Sequence, residues 1–255
     1  MKLFCKQYSE EGEPLVILHG LFGNQGNWGQ HAKVFANAFK VYGMDQRNHG
    51  RSEWEDAMSY DILAADVRDT MRLHGIGRAS FIGHSMGGKT AMQLALTWPN
   101  LVKKLVIVDI APSKYEPQHE AILAGLKSLN LDLIDGRQDA DEILSEYIAE
   151  KSTRDFLLTN LVRDDQGSYT WRMNLDAIRK YYNNLIDNVP ADAVFEGEVL
   201  FLKGGKSNYI LKKNEKDILK RFPNATITPI PGAGHWLQTE EPELFQSLVY
   251  KFLKD

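Results

Sequence analysis

The sequence predicts an α/β fold, with a mostly parallel sheet, helices on both of its faces and an inserted helical unit. Short apolar runs, at residues 15–18 and 105–108 among others, have the length and composition of strands buried on both faces. Amphipathic stretches with helical spacing separate these runs. Between residues 113 and 188 the strand-like runs disappear and amphipathic stretches follow one another, which indicates the insertion.

Composition narrows the class of protein. Hydrophobic residues make up 43% of the chain and charged residues 25%, as in ordinary globular proteins. The net charge of −4 without a basic block gives nucleic-acid binding no electrostatic support. Cys5 is the single cysteine, so an internal disulfide is excluded and a reducing compartment fits. With no signal-peptide pattern and no membrane-length apolar run, we expect a cytoplasmic protein without an obligate protein partner.

The first third of the chain alternates strand and helix patterns. In order, these patterns predict a strand at 3–8, a strand at 15–18, a helix at 28–39, a strand at 40–44 and a helix at 62–73. The polar segment 45–52 carries charges of both signs and a glycine, which indicates a loop held by its own hydrogen bonds.

Ser85 lies at the centre of Gly83-His84-Ser85-Met86-Gly87, between a strand-like run at 79–82 and a helical run at 88–96. Glycines two residues before and after the serine remove the Cβ atoms that would collide in a tight turn. Such a turn exposes the hydroxyl at a helix N-terminus, where backbone N–H groups favour negative charge. The pattern is typical of a catalytic nucleophile. A plain strand–helix connection is the alternative interpretation.

The loop after the strand at 15–18 is predicted to complete an oxyanion hole. It begins with His19-Gly20, and ligands of open α/β sheets bind beyond the carboxyl ends of the strands. We expect the N–H of Met86 to be one donor and the N–H of Leu21 the other, with Phe22 as the alternative. His19 is expected to be a structural hydrogen-bonding residue, although the pair could also be a plain turn.

The remaining patterns define two units. They predict a strand at 101–109, a helical insertion at 113–188, a strand at 199–203, a helix at 212–222, a strand at 225–230 and a helix at 240–253. We therefore expect a core of residues 1–112 and 189–255, and a cap of residues 113–188 that excludes water and shapes a pocket. Ordinary crossover helices are the alternative, but the length of the insertion argues against them.

A serine nucleophile needs a base and an acid. His235, between glycine and tryptophan in a late loop, is the predicted base. The loop at 204–209, where the acid is commonly found, contains no carboxylate, and Glu215 and Asp217 fall within a predicted helix. Asp109 at the end of the preceding strand is therefore the predicted acid. A displaced acid or a dyad without an acid are the alternatives.

Several motifs resemble the α/β-hydrolase superfamily, and more narrowly the YbfF-type bacterial esterases and their eukaryotic abhydrolase relatives. They are HGLFGN at 19–24, DQRNHGRS at 45–52, GHSMGG at 83–88, VDIAP at 108–112, GGKSNYI at 204–210 and GAGHW at 232–236. The resemblance implies an eight-stranded core, a helical cap and Asp109 as the acid. It also implies the chain order serine, acid, histidine, which makes His49 structural. Carboxylesterase and acyl-CoA thioesterase activity are implied as well.

The expected function is that of a serine hydrolase acting on a small-molecule acyl ester or acyl-CoA. No metal or organic cofactor is expected. Phe22 and Trp236 are expected to line an apolar substrate pocket. The serine argues against haloalkane dehalogenases and epoxide hydrolases, which use an aspartate nucleophile. A carbon–carbon bond hydrolase or a peptidase shares the same triad, and a non-catalytic ligand-binding protein is the alternative from a different class.

Overall fold

The computed structural model describes all residues from 1 to 255. The strands are β1 (Cys5–Gln7), β2 (Glu13–Leu18), β3 (Phe39–Met44), β4 (Ala79–His84), β5 (Val102–Val108), β6 (Leu161–Arg163), β7 (Tyr169–Trp171), β8 (Glu198–Gly204) and β9 (Ala225–Ile230). The helices are α1 (Gly29–Phe35), α2 (Tyr60–Leu73), α3 (Met86–Thr97), α4 (Glu120–Ser128), α5 (Arg137–Ser145), α6 (Lys151–Leu158), α7 (Leu175–Lys180), α8 (Tyr182–Ile186), α9 (Lys212–Arg221), α10 (Leu237–Glu240) and α11 (Pro242–Lys254).

Seven strands form the main sheet, in the order β1-β3-β2-β4-β5-β8-β9. Only β1 runs antiparallel to its neighbour, β3. The mostly parallel α/β sheet is therefore confirmed, and it has seven strands instead of the expected eight. The short strand β1 is the only strand before β2, and it forms one edge of the sheet while β9 forms the other.

Alternating side chains of the central strands enter two separate cores. Val16 and Leu18 of β2 belong to a cluster of 28 buried residues, while Leu15 and Ile17 belong to a cluster of 18 on the opposite face. The first cluster packs beneath α2, α3 and α9, and the second beneath α1 and α11. Burial on both faces explains why these strands have continuous apolar runs instead of alternating patterns.

Helix α2 shows how the local sequence sets an element. Ser59 is its N-cap and accepts a hydrogen bond from the N–H of Ile62. Its buried stripe, which includes Leu63 and Val67, faces α3 and the sheet. Small side chains such as Ala91 and Ala95 on α3 allow close packing between α2 and the sheet.

The chain between β5 and β8 forms five helices, α4 to α8, and a two-stranded hairpin of β6 and β7. The sequence indicated helices here but not the hairpin, because three-residue strands are too short to show a period. A third apolar cluster of 17 buried residues joins this segment to the core beside Phe22 and Met86. The segment thus covers the carboxyl end of β4, where Ser85 lies.

Hydrogen bonds fix α7 and α8 to residues 48–60 of the core. The Tyr60 hydroxyl donates to the carbonyl of Leu185 at 2.6 Å, and the Asn184 amide donates to the carbonyl of Met58 at 2.9 Å. Lys89 of α3, which is only 1% exposed, donates to the carbonyl of Asp187 at 2.5 Å. Helices α4 to α6 make no hydrogen bond to residues 1–112 or 189–255 and contact the core through apolar side chains.

None of the helices combines the length and the apolar character needed to cross a membrane.

Candidate active site

Ser85 occupies a strained turn between β4 and α3. Its φ of 50° and ψ of −117° place a non-glycine residue in a region that few residues adopt. A Cβ atom on Gly83 would lie 2.4 Å from the carbonyl oxygen of Gly87, and one on Gly87 would lie 2.4 Å from the carbonyl oxygen of Leu18. Only glycine therefore fits on either side of the serine, as the sequence pattern predicts.

The loop after β2 approaches this turn closely. A Cβ atom on Gly20 would lie 2.7 Å from Nδ1 of His84 and 3.3 Å from Cβ of Ser85, so the approach requires glycine here too. His19 is buried, and its Nε2 accepts a hydrogen bond from the N–H of Gln46 at 2.9 Å. Burial lowers the pKa of His19 to about 4, which keeps it neutral as this acceptor.

The same loop contains the N–H groups of Leu21 and Phe22, which the sequence left as alternatives for the second oxyanion donor. The N–H of Phe22 donates to Nε2 of His49 at 3.2 Å, so this group is already occupied. The N–H of Leu21 donates to no protein acceptor. Met86 is the first residue of α3, where the intrahelical pattern leaves N–H groups unpaired. His49 is fully buried and burial lowers its pKa to about 3, consistent with a structural acceptor.

Asp109 follows β5 with a φ of 49° and is fully buried. Its Oδ1 accepts a hydrogen bond from the N–H of Gly204 at 2.9 Å. Its Oδ2 accepts from Nδ1 of His235 at 2.8 Å and from the hydroxyl of Ser207. Asp217, an acid considered from the sequence, instead accepts a hydrogen bond from Ser113 on the protein surface.

Three neighbours hold the His235 ring and its loop. The Tyr209 ring stacks on the imidazole with centroids 3.9 Å apart and an angle of 20° between the planes. The Nε2–H of His84 donates to the carbonyl oxygen of His235 at 3.0 Å. The Tyr115 hydroxyl in turn donates to the carbonyl of Tyr209 at 2.6 Å. The sequence carried no signal for these supports, because residues far apart in the chain provide them.

No hydrogen bond joins Ser85 and His235 in the structure, but both side chains line one cavity. Contacts of this kind are commonly longer before a substrate binds. The cavity has a volume of about 480 Å³, within the range of small-molecule sites. Its lining includes the predicted Leu21, Phe22 and Trp236. Met86 lines a smaller pocket of about 30 Å³ that also reaches Ser85.

The segment between β5 and β8 provides the outer wall of the larger cavity. This wall includes Ile122 of α4, Tyr147 and Ile148 after α5, and Phe156 of α6. Phe156 packs against Trp236 with ring centroids 5.8 Å apart. Eleven of the eighteen lining residues are hydrophobic, so the cavity suits an apolar group attached to the reacting centre. No group of three or more His, Cys, Asp or Glu side chains is arranged to hold a metal ion.

Comparison with known proteins agrees with this geometry. The alpha/beta hydrolase fold family matches residues 13–242. The sn-1-specific diacylglycerol lipase ABHD11 of Xenopus laevis is 39% identical over 95% of this chain and 80% of its own length. Esterase YbfF of Escherichia coli is 33% identical over 98% of this chain and 96% of its own length.

A solved marine microorganism esterase superposes with a TM-score of 0.96 and is 41% identical, covering 98% of this chain and 99% of its own. The resemblance to YbfF-type esterases is thereby confirmed. Because these relatives are esterases, the protein is a hydrolase. Because the family match spans most of the sequence and these relatives cover nearly all of it, the chain belongs to the α/β-hydrolase fold family.

Proposed function

We propose that the protein hydrolyses carboxylic esters through an acyl-serine intermediate, with Ser85 as nucleophile, His235 as base and Asp109 as acid. The observation that carries this proposal is the 2.8 Å hydrogen bond from Nδ1 of His235 to the fully buried carboxylate of Asp109. The His235 side chain lines the same cavity as the strained Ser85. That hydrogen bond leaves Nε2 as the ring nitrogen able to accept a proton from the serine.

The reaction begins when His235 takes the hydroxyl proton of Ser85 as Oγ attacks the ester carbonyl carbon. The carbonyl oxygen becomes an oxyanion, and the N–H groups of Leu21 and Met86 stabilise it, by about 3–4 kcal/mol per donor in comparable sites. The carbon–oxygen bond to the alcohol then breaks, and the alcohol leaves with the proton from His235. Water repeats the sequence on the acyl-serine and releases the acid, while Asp109 stabilises the imidazolium in each half-reaction.

The apolar lining supports an acyl group as the part of the substrate that fills the larger cavity. The relatives named as esterases and as a diacylglycerol lipase support an ester substrate. An acyl-CoA thioester is a second candidate, because the same attack on a carbonyl carbon serves both. A cytoplasmic location is part of the proposal, and the single cysteine supports it.

We further propose that residues 113–188 act as a cap on a core of residues 1–112 and 189–255. The support is that the segment covers the carboxyl end of β4 and that side chains of α4, of α6 and of the residues between α5 and α6 line the cavity around Ser85. A cap in this position excludes water from the reacting centre and sets the size of the acyl group.

Hydrolysis of p-nitrophenyl esters of increasing acyl length, beside acetyl-CoA and palmitoyl-CoA, tests the proposal. We expect Ser85→Ala to abolish activity and Asp109→Asn to lower kcat by a factor on the order of 10⁴, because the amide favours the wrong histidine tautomer. Asp217→Asn is the matched control, since Asp217 contacts Ser113 instead of the histidine. If the wild-type protein cleaves no ester or thioester, the proposal is wrong. If Ser85→Ala is inactive but Asp109→Asn keeps the activity of the wild type, the assignment of Asp109 as the acid is wrong.

A further inference from the structure

His119 lies just before α4 and lines both the larger cavity and the smaller pocket, each of which also contains Ser85. Its ring packs edge-on against Phe22, with centroids 6.0 Å apart. The mechanism proposed above assigns it no role. Its Nε2 makes no hydrogen bond with the protein, whereas its Nδ1 lies 2.8 Å from the hydroxyl oxygen of Tyr182.

The hydrogen bonds around Tyr182 determine which nitrogen of His119 carries the proton. The hydroxyl oxygen of Tyr182 lies 3.1 Å from the backbone nitrogens of both Gln118 and His119. Backbone N–H groups can only donate, so together they occupy the two lone pairs of this oxygen. The single hydroxyl proton of Tyr182 must then point to Nδ1 of His119, which therefore acts as an acceptor. A neutral imidazole with an acceptor at Nδ1 carries its proton at Nε2.

The protonation state supports this assignment. Burial lowers the pKa of His119 to about 4, so the ring is neutral at physiological pH. A charged ring would also place a third donor against the Tyr182 oxygen, which has no lone pair left to accept it. The burial that raises the pKa of Tyr182 likewise keeps its hydroxyl proton in place. The result is an N–H donor of fixed orientation with no protein partner, at the edge of the substrate cavity.

The position of this donor indicates which part of a substrate it meets. His119 and His235 line the same cavity, together with Ser85. The leaving alcohol must lie beside His235, because it takes its proton from that ring. An acceptor carried by the alcohol half of the ester is therefore the group within reach of His119, whereas the acyl half occupies the apolar wall formed by α4 to α6.

We infer that the Nε2–H of His119 is a substrate-positioning donor that selects esters whose alcohol half carries a further oxygen acceptor, such as a hydroxyl of a polyol. This inference rests on the ester hydrolysis proposed above. The donor holds the alcohol half so that the scissile oxygen faces His235. A neutral hydrogen bond of this kind changes kcat/KM by about tenfold between substrates that have the acceptor and substrates that lack it.

The test compares glyceryl monobutyrate with propyl butyrate, which differ only in the two hydroxyl groups of the alcohol. The measured quantity is the ratio of their kcat/KM values in one enzyme sample, which does not depend on the folded fraction. We expect His119→Phe, which keeps an aromatic ring but has no donor, to lower this ratio about tenfold. We expect His119→Gln, whose amide nitrogen can replace Nε2, to keep the ratio within about twofold of wild type.

A ratio that stays unchanged in His119→Phe, with both esters still cleaved, would overturn this inference and leave the esterase proposal standing. An equal loss on both esters would make His119 merely structural and would overturn it as well. A wild-type protein that cleaves neither ester would overturn the proposed function and this inference with it. Nitrogen-15 NMR of the His119 ring at pH 7 gives an independent readout, with a proton expected on Nε2; a proton on Nδ1 would refute the argument.

Discussion

Replacing Ser207 by alanine tests whether the loop after β8 supports the acid on the neighbouring strand. The Ser207 hydroxyl and Nδ1 of His235 donate to the same oxygen, Oδ2 of Asp109. Since Asp109 is fully buried, water cannot replace a lost donor without rearrangement. Ser207→Ala therefore leaves this oxygen with one donor instead of two.

The expected loss follows from the charge on the acceptor. A hydrogen bond to a charged group contributes about 1.5–3 kcal/mol, and a mid-range loss of about 2 kcal/mol corresponds to about a 30-fold lower kcat. Ser207 does not line the cavity around Ser85, so KM should stay within about twofold of wild type. The loss is expected in kcat because Asp109 acts on the imidazolium, which exists only as the reaction proceeds.

Steady-state hydrolysis of p-nitrophenyl butyrate by Ser207→Ala and by Asn208→Ala provides the measurement. Asn208 is exposed and makes no hydrogen bond to the acid, so its variant is a matched control in the same loop. A kcat within threefold of wild type for Ser207→Ala would refute the reasoning, as would an equal loss in the control variant. Thermal unfolding of both variants separates a loss of catalysis from a loss of folded protein.

Three further outcomes are expected. Gly20→Ala should lower kcat at least tenfold, because its Cβ would lie 2.7 Å from His84 beside Ser85; unchanged kinetics would contradict this. The free energy of unfolding, measured in urea, should fall as pH drops from 6.5 to about 4, since the unfolded chain protonates His19, His49 and His119 there while the folded chain does not. His19 alone contributes a loss of about 3 kcal/mol, and a flat profile would count against this reasoning. Burial raises the pKa of Cys5 to about 12, so iodoacetamide at pH 8 should label the folded protein far more slowly than the urea-unfolded protein; equal rates would disprove it.

The nucleophile turn could be predicted because its sequence pattern is local. Gly83, Ser85 and Gly87 lie within five residues, although the group that a Cβ on Gly87 would meet belongs to Leu18 on another strand. The placement of Asp109 needed elimination and the family resemblance of the residues around it, because no local steric demand identifies an acid at a strand end. Its hydrogen bond to His235 depends on two loops meeting, at Gly204 and Gly234, where a Cβ on Gly204 would lie 2.1 Å from the carbonyl oxygen of Gly234.

Other features of the structure could not be predicted from the sequence. The stacking of Tyr209 on His235 depends on a tertiary contact between residues that the chain separates widely. Ser207 and Asn208 could be named from the sequence only as alternative partners of Asp109 or the histidine, and the structure shows the Ser207 hydroxyl donating to Asp109. The β6–β7 hairpin is missed because each strand has only three residues. The count of strands in the sheet came from the resemblance to a family, and the observed sheet has one strand fewer.

The uneven attachment of the segment above Ser85 has a consequence for protein engineering. Helices α7 and α8 are bound to the core by directional hydrogen bonds, including the buried ammonium of Lys89, and changes there would leave polar groups unpaired. Helices α4 to α6 make no hydrogen bond to the core and pack on it through apolar side chains, which tolerate exchange when the total volume is kept. Libraries aimed at altering the acyl range should therefore diversify the apolar residues within 120–158 and leave residues 174–187 intact.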